Sequence, residues 1–196
     1  MPSIAFHYID RSMDYASYTE AFSTKAHADE TGMNEKDREM HAYYRLNWAR
    51  SSRVEKVYTL SESAKSTLQS MQSKQQWIVI TEGWCGDSAQ SLPIIAKIAE
   101  ESQGRINVYI VSRDSYPELL EHYRTNGSMS IPKLIACDDK GDEIWDWGPR
   151  PQSAQELFDT LRANTIEKQE IYTALHAFYA KDKGQSIETE ILVNCL

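Results

Sequence analysis

The chain has 196 residues, 41% hydrophobic and 26% charged, with a formal net charge of −8, the composition of an ordinary globular protein with room for a real core. The acidic balance and the lack of any Lys/Arg cluster argue against a nucleic-acid partner, and no stretch approaches the roughly 20 apolar residues of a membrane span. The start, Met1 to Tyr8, lacks the marks of a signal peptide, and three widely separated cysteines, Cys85, Cys137 and Cys195, fit a reduced cytosolic setting better than a disulfide-stapled one.

In chain order, Ser12-Met13-Asp14 caps a first helix to about Ser23. Asn34 before Glu35-Lys36-Asp37 caps a second to about Ser51, with Met40, Tyr43, Tyr44, Leu46 and Trp48 as its apolar positions. Ser61 opens a third, to about Lys74. These pieces read as a helical N-terminal extension over residues 1–59. The pattern then changes. Trp77-Ile78-Val79-Ile80 is a short β-rich run of the kind that forms a central strand. A helix follows from Gly86 to Ser102, then a strand in Arg105–Ser112 and a helix in Ser115–Arg124 with Pro117 in its first turn. Pro132 opens a third strand, Asp138 to Asp142 reads as a hairpin turn, and Glu143–Trp147 is the partner strand. Helices close the chain at Gln152–Ala163 and Glu167–Lys181, the latter with the stripe Ile171, Tyr172, Leu175, Phe178, Tyr179. This order predicts an α/β domain over residues 60–165 with a mixed sheet flanked by helices, and a C-terminal helical extension over 166–196 packed on it.

Cys85 falls between a buried strand and a helix. A helix N-terminus presents free N–H groups and positive potential, which favour a thiolate and lower the thiol pKa from about 8.5. Cys85 is therefore expected to be an exposed, activated nucleophile. Gly86 lets the backbone turn, and the Ser88 hydroxyl is placed to donate to the sulfur. An ordinary small packing residue at a strand end is the alternative. Asp87 sits in the helix's first turn, where its charge opposes thiolate formation, and is expected to be partly solvated. Arg150 either anchors a carboxylate, stabilises the thiolate, or is a solvated surface group. Cys137 is separated from the Cys85 end of its strand by five extended residues, about 16 Å, and reads as core. Cys195 is a minor candidate for a resolving thiol. The five histidines are scattered, which predicts no metal site.

Trp84-Cys85-Gly86, with Pro93 eight residues after the cysteine, Asp114-Ser115-Tyr116-Pro117, Ile131-Pro132, Gly141 and Gly148, resembles the thioredoxin family. The longer runs Thr81 to Asp87, Ile131 to Ile135, Trp147 to Pro151 and Tyr179 to Ser186 are similar to a bacterial, uncharacterised branch of it. The resemblance spans about Leu60 to Thr165 and implies a thioredoxin-like fold. It also implies a cis Ile131–Pro132 bond, with the Ile131 backbone beside the sulfur to pair with an extended substrate. Catalytic residues would be Cys85 and Ser88; the substrate groove would be formed by Trp84, Gly86, Asp87, Ile131, Pro132, Gly148 and Arg150. Partners would be a thiol- or disulfide-bearing protein or a small thiol, with no cofactor.

Two departures stand out. Ser88 replaces the second cysteine of Cys-x-x-Cys, and Val79 occupies the position of the family's buried aspartate. Two functions are therefore expected to compete: a monothiol redox protein forming mixed disulfides through Cys85, and a redox-inactive binding or adaptor protein. A depressed Cys85 pKa would support the first, and a normal or raised one the second. Conjugation of a small thiol such as glutathione is a third reading.

Overall fold

The computed structural model describes residues 2–164 and 167–195. Its sheet has four strands: β1 (Gln75–Thr81), β2 (Ile106–Ser112), β3 (Lys133–Cys137) and β4 (Glu143–Trp147), in the order β2-β1-β3-β4. β1 pairs parallel with β2 and antiparallel with β3, which pairs antiparallel with β4. The sheet is mixed, as the alternation of strand and helix predicts. No regular strand precedes β1 among the described residues. Instead a 3-10 helix, Ala5–Arg11, packs on β1 and β2, and Met13 forms a single antiparallel bridge to Ile110.

Eight α-helices accompany the sheet among the described residues: α1 (Tyr15–Ala26), α2 (Glu35–Val57), α3 (Glu62–Ser70), α4 (Gly86–Glu101), α5 (Pro117–His122), α6 (Gln152–Ala163), α7 (Lys168–Asp182) and α8 (Gln185–Leu192). Asp14, Asn34 and Ser61 cap α1, α2 and α3 through their side-chain oxygens. Side chains alternate across a strand, so β1 splits the core in two. Trp77 and Val79 face a cluster containing Leu92, Ile95, Leu175 and Ile191, and Ile78 and Ile80 face Tyr8, Leu119, Ile135 and Cys137.

Three expectations need correction. In α2 the apolar residues Met40, Tyr43 and Leu46 are exposed, and the buried positions are His41, Asn47 and Ser51. The helix turns a polar face inward, toward α4. In α7 Tyr172 is exposed while Ile171, Leu175 and Tyr179 are buried. Residues 183–192, outside every predicted helix, form the left-handed pair Lys183-Gly184 and then α8, whose Ile187 and Ile191 are fully buried. The expected domain junction at 165/166 lies outside the described residues.

Candidate functional site

β1 ends at Thr81 and α4 begins at Gly86, so the intervening turn delivers Cys85 to the N-cap of α4. The expected exposure is not found: Cys85 is only 9% exposed, and its thiol donates to the Ile131 carbonyl at 3.2 Å. Its pKa is not lowered either. Burial, then the Asp87 carboxylate, push it up to about 11, against the opposing pull of the Ser88 hydroxyl and the Ser88 and Asp87 amides. Helix-end stabilisation is therefore present but outweighed by desolvation. Ser88 Oγ, itself buried, makes no hydrogen bond, although it stands where it favours a thiolate at Cys85.

Asp87 is buried rather than solvated. Its carboxylate is held by Arg150 Nη2 at 2.7 Å and accepts from the Tyr179 hydroxyl at 2.8 Å. Burial raises this carboxyl on balance, against the opposing pull of Arg150, Tyr179 and the more distant Arg50 charge. The guanidinium, also desolvated, is kept charged chiefly by Asp87. At this separation, with two donors on the carboxylate, the pair is ionic. Arg150 thus anchors a carboxylate, the protein's own. It also lies over the Phe158 ring at 4.3 Å and donates to Gln155 Oε1.

The remaining predicted residues converge from three segments. Ile131–Pro132 is cis and Ile131 is buried against the thiol. Gly148, at φ +114°, packs so closely that an added Cβ would lie 2.2 Å from the Pro132 carbonyl oxygen. Trp84 turns aside, donating to Asp114 Oδ2 at 3.0 Å beneath the Arg113 guanidinium, and forms no part of the Asp87 network. Val79 is fully buried among apolar neighbours, between Ile110 and Leu134 in the sheet. Cys137 is fully buried at the far end of β3, its sulfur 3.4 Å from Ser3 Oγ. Cys195 is buried in the cluster on the other face of the sheet from Cys85, its thiol bonded to the Ile191 carbonyl and its pKa pushed by burial to about 12.

Sequence reasoning missed the residues that cover the site. Asn47 of α2 donates to the Trp84 carbonyl at 2.7 Å and accepts from Arg50 at 2.8 Å. His176 of α7 stands against Gly86, where an added Cβ would lie 3.0 Å from its ring, and Tyr179 holds Asp87. The sequence carries no signal that singles out Asn47, because the apolar positions of α2 suggest the opposite face; Tyr179 reads as ordinary core. No group of three or more potential metal ligands exists among the described residues, and no described helix is long and apolar enough to cross a membrane.

A thioredoxin family model matches residues 33–162, about two thirds of the chain. The chain belongs to the thioredoxin family. Among solved structures, it is similar to a Pseudomonas aeruginosa protein of unknown function, at 19% identity and a TM-score of 0.60, over 99% of this chain and 97% of that one. It is also similar to an HIV epitope-scaffold protein, at 15% identity and a TM-score of 0.63, covering 96% and 94%. At these identities the likeness concerns the fold, whose mixed sheet and flanking helices are thioredoxin-like.

Proposed function

We propose that the protein is a monothiol thiol–disulfide exchange protein whose Cys85 is held covered and protonated at rest. The observation that carries this reading is the buried Ser88 hydroxyl, which makes no hydrogen bond yet stands where it stabilises a Cys85 thiolate. A buried unsatisfied polar group costs about 1–3 kcal/mol. Its retention suits a sulfur that becomes an anion during the working cycle. In that cycle the Cys85 thiolate attacks one sulfur of a substrate disulfide, breaking the S–S bond and releasing the other sulfur as thiolate. The mixed disulfide persists because Cys137 and Cys195 are buried elsewhere. An external thiol must then attack it, leaving as a new disulfide with the substrate and returning Cys85.

The resting rate follows from the pKa. At pH 7 a thiol of pKa about 11 is about one part in ten thousand ionised, against about 3% for an ordinary cysteine. Greater intrinsic nucleophilicity recovers about tenfold, leaving Cys85 about thirtyfold slower than a free cysteine before any steric cover is counted. Opening of the cover formed by Asn47, His176 and the Asp87–Arg150–Tyr179 network is thus part of the proposed cycle.

A second reading, a redox-silent thioredoxin-fold binding protein, is favoured by the raised pKa and by the Ile131 carbonyl being taken up by the thiol. Incubation with glutathione disulfide at mildly alkaline pH, read by intact mass, separates the two. One adduct on Cys85, released by added thiol and absent in Cys85→Ser, is the result expected. No adduct at any time would leave the binding role.

A further inference from the structure

Beside the second and third turns of α4, a cavity of about 400 Å³ opens between α2, α4, α7 and the α7–α8 joint. Its apolar wall includes Val54, Tyr58, Ile94 and Ile187, and its polar wall includes Arg50, Arg53, Lys183 and His176. No carboxylate lines it, although the chain carries 29 acidic residues against 21 basic ones. None of its three cations forms an ion pair with a carboxylate among the described residues. Arg50, half-buried, donates only to Asn47 Oδ1. The acid whose field it feels is Asp87, which Arg150 and Tyr179 already hold. His176 adds a buried ring nitrogen, Nδ1, that makes no hydrogen bond.

We infer that this cavity binds a small organic anion, an apolar body carrying a carboxylate, sulfonate or phosphate group, held between the Arg50–Arg53–Lys183 cations and the apolar wall. Its size is within the range of sites that take small molecules, and a few placed polar groups on an apolar lining are what orient such ligands. Partial desolvation of Arg50 strengthens its attraction for an incoming anion relative to a fully hydrated cation. The His176 ring lines the cavity, and because it packs on Gly86 the bound molecule would share a wall with the helix turn that bears Cys85. This inference does not rest on the proposed exchange chemistry.

The probe is the fluorescent anion anilinonaphthalene sulfonate, titrated against the folded full-length chain, with neutral phenylnaphthylamine as its uncharged counterpart. Saturable binding of the anion is expected, with the neutral dye at least tenfold weaker and the anion's affinity falling as salt rises. Arg53→Gln and Lys183→Gln, side chains that make no other hydrogen bond or ion pair among the described residues, should each weaken it about three- to tenfold, the range for losing one partly exposed charge-assisted contact. Ala180→Trp, which fills the mouth of the cavity, should abolish it, while Lys140→Gln, an equal charge change on the distant hairpin, should leave it unchanged. Thermal melts confirm that each variant is folded. Failure of the anion to bind, equal affinity for the neutral dye, or indifference to the three cavity variants would each overturn the inference.

Discussion

Asp87→Asn preserves the shape of the side chain next to Cys85 and removes its charge. Two quantities should respond, for separate reasons. The carboxylate is the second cause, after burial, of the raised Cys85 pKa, so the pKa should fall from about 11 yet stay above the ordinary value of about 8.5, because the cysteine remains buried. The stability change is larger than a solvated first-turn carboxylate would suggest. Arg150 is only 11% exposed and faces Asp87 at 2.7 Å, so neutralising one partner leaves a desolvated cation. Breaking a buried pair this way costs about 3–5 kcal/mol. Gln155 and the Phe158 ring still serve the guanidinium, and Tyr179 keeps an acceptor in the Asn carbonyl, which places the loss near the lower limit. For a chain of this size about 3 kcal/mol lowers the Tm by about 6–12 °C. Thiolate ultraviolet absorbance against pH and urea melts read the two effects separately. A Cys85 pKa that stays put or rises, or a stability change below about 0.5 kcal/mol, the scale of an ordinary surface substitution, would refute the buried pair described here.

Ser88→Ala removes a buried hydroxyl that has no partner at rest, so the variant should be no less stable than the parent, by up to about 1 kcal/mol the more stable, while its Cys85 pKa rises further; paired urea melts and thiol titrations check this. Insulin reduction by the parent with a thioredoxin reductase should be near background, and Ser88→Cys, which restores a second thiol one turn into α4, should raise it measurably. Gly148→Ala forces a Cβ toward the Pro132 carbonyl oxygen at a φ of +114°, and should cost about 3 kcal/mol or more in a thermal melt.

The sheet was legible because its strands are short apolar runs bounded by turn residues: Trp77 to Ile80, Val108 to Val111 and Leu134 to Ala136 lie inside β1, β2 and β3. The N-cap of each early helix was legible for the same local reason, since Asp14, Asn34 and Ser61 act within three residues of themselves. The inward face of α2 was not. Periodicity finds a stripe but cannot say which side meets the protein, and here the buried positions are His41, Asn47 and Ser51, with Asn47 meeting the Trp84 backbone and His41 meeting Glu30. The position of Cys85 at a helix N-terminus was likewise readable, but its state was not. A helix end lowers a thiol pKa and burial raises it, and the balance depended on cover supplied by α2 and α7, far away in sequence. Lys183-Gly184 and α8 escaped notice because an eight-residue helix has too few turns to display a period.

That Cys85 is buried and protonated at rest is tested most directly by the rate of its alkylation against pH. Peptide mapping with a small iodoacetamide should show a Cys85 rate below that of a free cysteine at pH 7, rising about tenfold per pH unit without a plateau until the pH nears about 11. Fast labelling at neutral pH that levels off at or below about 8.5, the value of an ordinary thiol, would contradict it.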